Sequence, residues 1–345
     1  MSNLIIKRNK ILLNKLVVIN GQPGCGKTML SSILSSFKNV EIMNYSTVLE
    51  NIVRLNYLNK ISTDAASSMI RSHLDELLYE NMMSRNVNFR YSDLSSVFRN
   101  PKKFNYIKRL FIKGDELIPN IIKKEKPVLH LATHNLLKYS DILFKSYKDR
   151  IKFIEVVRHP LYMIKQQKIN YDNFNKKKER TFHINIKKGN EEYQIQDPRL
   201  NKNLNINKKT SSIDLAIYSI KLYFDYVMEE KKHKFLQKKI LFIPFEKLVK
   251  EPDVYLKKIE KYTHLKKTSL TRKIMRREKI PRNKYSDGIN LDIYKKMGWK
   301  KPNKNFSEKD EFDLRLKWAK DNNISDKCYN LLKEISSKYE NLFLK

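Results

Sequence analysis

Eight residues, Gly21-Gln22-Pro23-Gly24-Cys25-Gly26-Lys27-Thr28, spell G-x-x-x-x-G-K-T. Backbone N–H groups converge on phosphate oxygens only where no side chain intervenes, and a helix start adds partial positive charge, so the pattern is chemistry for holding a phosphate. Lys27 adds a full charge and Thr28 a hydroxyl. The apolar run Leu16-Val17-Val18-Ile19 precedes the pattern and Met29-Leu30-Ser31-Ser32-Ile33-Leu34 follows it. These predict the strand, loop and helix that such a cradle requires.

Magnesium-dependent phosphoryl transfer also needs an acidic residue at the end of a second buried strand. The candidate strands Val128-Leu129-His130-Leu131, Phe153-Ile154-Glu155-Val156-Val157 and Ile240-Leu241-Phe242-Ile243 lead into Thr133-His134, Arg158-His159-Pro160 and Pro244-Phe245-Glu246. Two of the three ends are neutral or basic; Glu246 is the only carboxylate close to one, and Glu155 lies inside its strand. Such ends suit an anionic ligand bound without a metal.

Four later segments and the phosphate loop together resemble the sulfotransferases that use 3′-phosphoadenosine 5′-phosphosulfate (PAPS). Val17 to Leu30 is similar to that family's 5′-phosphosulfate loop, and Leu131-Ala132-Thr133-His134-Asn135-Leu136 to its strand-end Thr-His segment. Phe153 to Ile164, with Arg158-His159-Pro160, resembles the 3′-phosphate segment, and Ile243 to Pro252 the strand that runs into Phe245-Glu246-Lys247-Leu248. Met297-Gly298-Trp299-Lys300, followed by Asn305-Phe306-Ser307, resembles the C-terminal region that closes over the nucleotide. The likeness spans about Leu16 to Phe306. Departures are specific: the loop's basic residue stands at Lys27 rather than at Gly24, Ala132 replaces a frequent Lys, and Gln166 replaces a Ser eight residues after the Arg.

The resemblance implies an α/β fold with a P-loop-type parallel sheet flanked by helices, and PAPS as the co-substrate with no metal. It implies that Gly21, Gly24, Cys25, Gly26, Lys27, Thr28, Arg158, Gln166, Phe245 and Trp299 bind the donor. Lys27 would stabilise charge on the oxygen bridging to the leaving phosphate, and His134 would take the acceptor's proton. Imidazole titrates near neutral pH, and open α/β sheets place ligands at the carboxyl ends of their strands. His130, earlier on the same strand, is the alternative base. The complete G-K-T signature leaves a magnesium-dependent kinase or ATPase open as a second class.

A chain of 345 residues with 41% hydrophobic and 11% aromatic residues is globular in composition. Without a glycine- or proline-rich linker it reads as one elaborated domain, 1–345, with an insertion over 166–212. Nothing approaches a transmembrane span of about 18 apolar residues, and the N-terminus lacks a signal-peptide pattern, so the expected location is the cytoplasm. Two cysteines, Cys25 and Cys328, give neither a disulfide framework nor a metal site. The formal charge of +34 invites a nucleic-acid or other polyanion binder. Its basic residues are spread along the chain without a nucleic-acid motif, so the expectation is a positive field that draws in an anionic donor, and an acceptor such as a glycan or lipid, with no specific nucleic acid.

Elsewhere, Val40-Glu41-Ile42-Met43 reads as a second strand. Val48, Leu49, Ile52, Val53 and Leu55, then Met69, Ile70, Leu74, Leu77 and Leu78, read as helical core stripes. Asn86 to Asp93 reads equally as a surface loop or as part of an acceptor pocket. Thr181 to Ile195 reads as a hairpin turning at Gly189, with a polar loop from Asp197 to Lys209, in an insertion suited to a lid or acceptor-selecting role. A structural helix capped by Ser212 follows, carrying Leu215, Ile217, Ile220, Leu222, Tyr223 and Tyr226.

Overall fold

A computed structural model describes residues 4–93, 95–114, 116–176, 182, 184–204, 206–207, 209–232, 239–288 and 305–345. Among them the strands are β1 Lys15–Asn20, β2 Val40–Asn44, β3 Val128–Ala132, β4 Ile151–Val157, β5 Asn185–Lys188, β6 Glu191–Gln194 and β7 Ile240–Pro244. The helices are α1 Lys27–Leu34, α2 Thr47–Tyr57, α3 Thr63–Met82, α4 Lys103–Arg109, α5 Ile118–Glu125, α6 Asp141–Tyr147, α7 Pro160–Lys176, α8 Ser212–Lys232, α9 Phe245–Lys250, α10 Pro252–Thr263, α11 Ser269–Arg277, α12 Glu308–Asp321 and α13 Asp326–Tyr339.

Five strands form one sheet in the order β2-β3-β1-β4-β7, with every pairing parallel. Parallel strands joined by helical crossovers are covered on both faces, which is why β1 is a continuous apolar run rather than an alternating one. Leu16, Val17, Val18 and Ile19 are all fully buried. The chain runs from β1 out to β2 at the edge, returns to β3 beside β1, then crosses to β4 on the other side of β1. That reversal makes the carboxyl ends of β3, β1 and β4 the crevice of the fold. α1 packs against α11, α3 against α5 and α6, and α7 against α8, α12 and α13. No described helix is long and apolar enough to cross a membrane.

Helix boundaries follow local chemistry. Ser46 caps α2 by accepting the Leu49 N–H, and Ser62 caps α3 by accepting that of Ala65. Between them Asn59 adopts a left-handed φ of 54°, so the helical stretch read after β2 is two helices. The turn rotates the second stripe relative to the first, and Val48 and Met69, expected in the core, are exposed. The hairpin β5–β6 is present, with Gly189 at φ 62° in its turn. Ser211, not Ser212, caps α8, its hydroxyl accepting the Asp214 N–H at 3.2 Å. Asn88 holds the 86–93 loop closed through Asp93 and Ser95. Phe89 and Val87 pack on a small separate core of Ile42, Val97 and Tyr106. That loop is therefore tied up in its own packing and is not in the wall of the cavity described below.

Glu246, the carboxylate noted near a strand end, has a structural task. It is fully buried at the start of α9, accepting the His159 N–H at 3.1 Å and the Tyr339 O–H at 2.6 Å. It thereby fixes the β4–α7 turn that carries Arg158. Glu246→Ala leaves the buried His159 N–H unpaired and the Tyr339 O–H with only the Val157 carbonyl at 3.3 Å, and is expected to cost about 2–4 kcal/mol in urea denaturation, whereas Glu246→Gln retains an acceptor and costs less.

Candidate active site

The phosphate loop leaves β1 at Gly21 and turns into α1 through Gly26. Gly24 and Gly26 take φ of 96° and 97°, a left-handed region that side chains resist. A Cβ on Gly26 would stand 2.2 Å from the Phe245 ring, and one on Gly24 would stand 2.8 Å from Gln166 Oε1. Gly26 is the N-cap of α1 and supplies no capping side chain, so the first N–H groups of the helix point into the crevice. The sequence pattern here is enforced by close packing as well as by backbone angle.

Lys27 is 4% exposed, its ammonium donating to the carbonyls of Gly21 at 3.2 Å and Gln22 at 3.3 Å. Burial lowers its pKa, opposed by the Cys25 thiol and by Glu50 and Glu155. Cys25 is fully buried and burial raises its thiol pKa, so it fills space in the loop and is not a nucleophile. Arg158 Nη1 donates to the Gly24 carbonyl at 2.6 Å, and its guanidinium lies 4.3 Å from the Phe245 ring centre. Gln166 stands beside Gly24, and its neighbour Gln167 donates to the Pro23 carbonyl at 2.7 Å. Loop, Arg158, Gln166 and Phe245 thus form one packed unit. Trp299 lies outside the described residues.

Beneath the loop, a buried network joins the strand ends. Asn20 Nδ2 donates to Glu155 Oε2 at 2.7 Å, while its Oδ1 accepts from Thr133 Oγ1 at 2.9 Å and from the Leu136 N–H at 3.0 Å. Tyr223 donates to Glu155 Oε1. Burial pushes the Glu155 carboxyl up to about 7, although the bonds from Asn20 and Tyr223 and the charge of Lys27 act against it.

His134 follows β3, about a third exposed. Its Nδ1 lies 3.1 Å from Glu50 Oε1, and its backbone N–H donates to the same oxygen at 2.8 Å. Burial alone would raise the Glu50 carboxyl; the hydrogen bond and charge of His134, with the charge of Arg54, outweigh it and hold the pKa at about 2. A carboxylate that stays ionised only accepts, so Nδ1 carries the proton. Arg54 bonds Glu50 at 3.1 Å and the His134 carbonyl at 2.8 Å. Tyr45 stacks on the imidazole with ring centres 5.6 Å apart, and its hydroxyl lies 3.3 Å from Thr28 Oγ1. Thr28 and His134 are thus linked across one ring. The alternative base, His130, is fully buried on β3 beside Ser35, with burial pushing its pKa down to about 3; it takes no part.

A cavity of about 550 Å3 opens beside this site, lined by Gln22 of the loop, by Arg54 and Asn135, and by residues of the 166–212 insertion. Leu222, Tyr223 and Tyr226 of α8 form part of its wall, so that helix is not only structural. Glu50, Arg54 and Tyr45 were missed among the core stripe of α2 and the end of β2. The i, i+4 pair Glu50 and Arg54 inside an otherwise apolar helix was the available signal. No group of three His, Cys, Asp or Glu side chains placed to hold a metal occurs among the described residues.

No protein-family model matches the chain, and no curated protein matches it. Among solved structures it is similar to the sulfotransferase domain of the Synechococcus PCC 7002 olefin synthase, with 14% identity, TM-score 0.39, and coverage of 97% of this chain and 98% of that one. It is also similar to mouse sulfotransferase SULT7A1 complexed with PAP, with 14% identity, TM-score 0.34, and coverage of 96% and 91%. Sulfotransferase STF9 from Mycobacterium avium matches at 12% identity and TM-score 0.37 over 83% of this chain and 75% of that one.

Two outcomes check the site. Gly26→Ala is expected to displace Phe245 and lower the melting temperature, because both the backbone angle and the ring oppose a methyl group. Glu50 has a depressed folded pKa, so its contribution is full above its ordinary value of 4.5 and is lost as pH falls toward about 2. Glu50→Gln is expected to lower stability at pH 7 by about 2–3 kcal/mol, and the gap to wild type should close between those two pH values in thermal melts.

Proposed function

We propose that the chain transfers a sulfuryl group from PAPS to a hydroxyl or amine of an acceptor held in the adjacent cavity. The observation that carries this reading is the placement of His134. It is fixed by a buried carboxylate, shares one ring contact with the phosphate loop, and follows a strand end that carries Thr133 where a kinase would carry a metal-holding acid.

The residues fit the donor by their chemistry. The glycines leave N–H groups open to the phosphosulfate, and Lys27 brings a cation to the loop's own carbonyls, from which it can swing to anionic oxygens. Arg158, Gln166 and Phe245 would face the nucleotide, Arg158 supplying charge to a 3′-phosphate. At the acceptor side the proton on Nδ1, held by Glu50, leaves Nε2 as the basic nitrogen. The acceptor oxygen or nitrogen attacks sulfur in line, the sulfur–oxygen bond to the phosphate breaks, and His134 takes the proton. Lys27 and the loop N–H groups stabilise charge developing on the departing oxygen. A positive surface field raises the local concentration of the anionic donor.

Calorimetric titration with 3′,5′-adenosine bisphosphate in the absence of metal, run against ATP with magnesium, tests the donor. Metal-free binding of the bisphosphate, weakened at least tenfold by Arg158→Ala, is the expected result; preference for magnesium-ATP would move the chain to the kinase class. His134→Ala is expected to lower kcat by about 10²–10⁴ with bisphosphate affinity unchanged.

A further inference from the structure

The cavity beside His134 has a chemical character of its own. Tyr57, Tyr139 and Tyr226 line it together with Leu58, Leu137 and Leu222, giving aromatic and apolar walls around a volume suited to a drug-sized molecule. Tyr57 and Tyr139 meet edge to face with centres 4.8 Å apart. A rigid wall of that kind holds a ring or a similarly flat apolar body.

Charge is distributed unevenly over the same lining. Asp197 is its one acid among the described residues, and it is neutralised by Arg199 through bonds of 2.9 Å and a shorter contact of 2.6 Å. Arg54 is neutralised by Glu50. Lys138 differs. Its ammonium donates to the Tyr226 hydroxyl at 3.0 Å and lies 4.5 Å from the Tyr226 ring centre and 5.4 Å from that of Tyr57. Phenol groups hold this cation in place while leaving its charge uncompensated by any carboxylate among the described residues. A half-buried ammonium on an apolar wall recognises an anion through a charge-assisted hydrogen bond.

Lys138 also sits at a useful place in the chain. Asn135, next in the chain to His134, and Lys138, on the single helical turn Leu137–Tyr139, both line the cavity.

Resting on the sulfuryl-transfer reading for its role, we propose that the cavity is built for an acceptor with a ring-like apolar body and an anionic group, a carboxylate, phosphate or sulfate, anchored on Lys138. The nucleophilic hydroxyl or amine lies at the opposite end of that body. Lys138 is then the residue that selects acceptors by charge.

Equilibrium binding tests this without requiring any transfer. Three fluorescent probes, 6-hydroxy-2-naphthoate, 2-naphthol and 6-aminomethyl-2-naphthol, share one naphthol body and carry a carboxylate, a hydrogen or an aminomethyl cation at its far end. Titrated into the full-length protein with and without 3′,5′-adenosine bisphosphate, the carboxylate is expected to bind about tenfold or more tighter than the neutral probe, and the amine more weakly than either. Lys138→Met should bring the three to parity, Lys138→Arg should retain the order, and Lys338→Met on the exposed surface of α13 should change nothing. Thermal melts of each variant separate loss of selectivity from loss of fold. Equal affinities in the wild type, a preference that survives Lys138→Met, or no binding by any probe overturns the proposal. Charge-selective binding that depends on Lys138, in a protein that takes magnesium-ATP and ignores the bisphosphate, leaves the anion site standing while the sulfuryl-transfer reading falls.

Discussion

One buried side chain, the amide of Asn20, holds the carboxyl ends of three strands together. It closes β1, and the parallel register sets it opposite Glu155 of β4, with Thr133 just past the end of β3. With its donor on Glu155 and its acceptor on Thr133 and Leu136, the amide satisfies polar groups that would otherwise be costly in the interior. Everything that could do chemistry begins one or two residues beyond this knot: Gly21 after β1, His134 after β3 and Arg158 after β4.

Above it, the organisation alternates between polar fixation and apolar contact. Glu50 and Arg54 lock the His134 segment from α2, while Tyr45 bridges the imidazole to Thr28 with a ring face. Phe245 presses on Gly26 from one side and carries the Arg158 guanidinium on the other. The two halves of the site are thus held by different parts of the chain, one by α2 and β3 and the other by β4, α7 and β7.

The positive charge of the chain acquires meaning only when its partners are known. Most ions within the site are already matched, Arg54 by Glu50 and Arg199 by Asp197, and desolvation makes an unmatched one expensive to keep. The cation of Lys138 persists because aromatic faces and a phenol hydroxyl partly replace water. Net charge by itself says little about such a site.

The positions of the strands along the chain, the phosphate loop and the hairpin were legible in the sequence, since each depends on local pattern: an apolar run, glycines at fixed spacing, a turn glycine. The places of Arg158 and Phe245 directly after strands, and of His134 two residues after one, were legible there too. What the sequence could not supply was which partners reach across. Glu50 is 84 residues from His134, and Tyr45 shares no pattern with it. Val48 on α2 and Met69 on α3 went to solvent where helical spacing placed them in the core, because which face of a helix is covered depends on what packs against it. Residues 197–203 and α8 meet around one cavity only after folding. Local chemistry follows from neighbours in the chain, whereas ion pairs, ring contacts and cavities depend on the packing of distant elements, so tertiary structure alone decided which side chains surround His134.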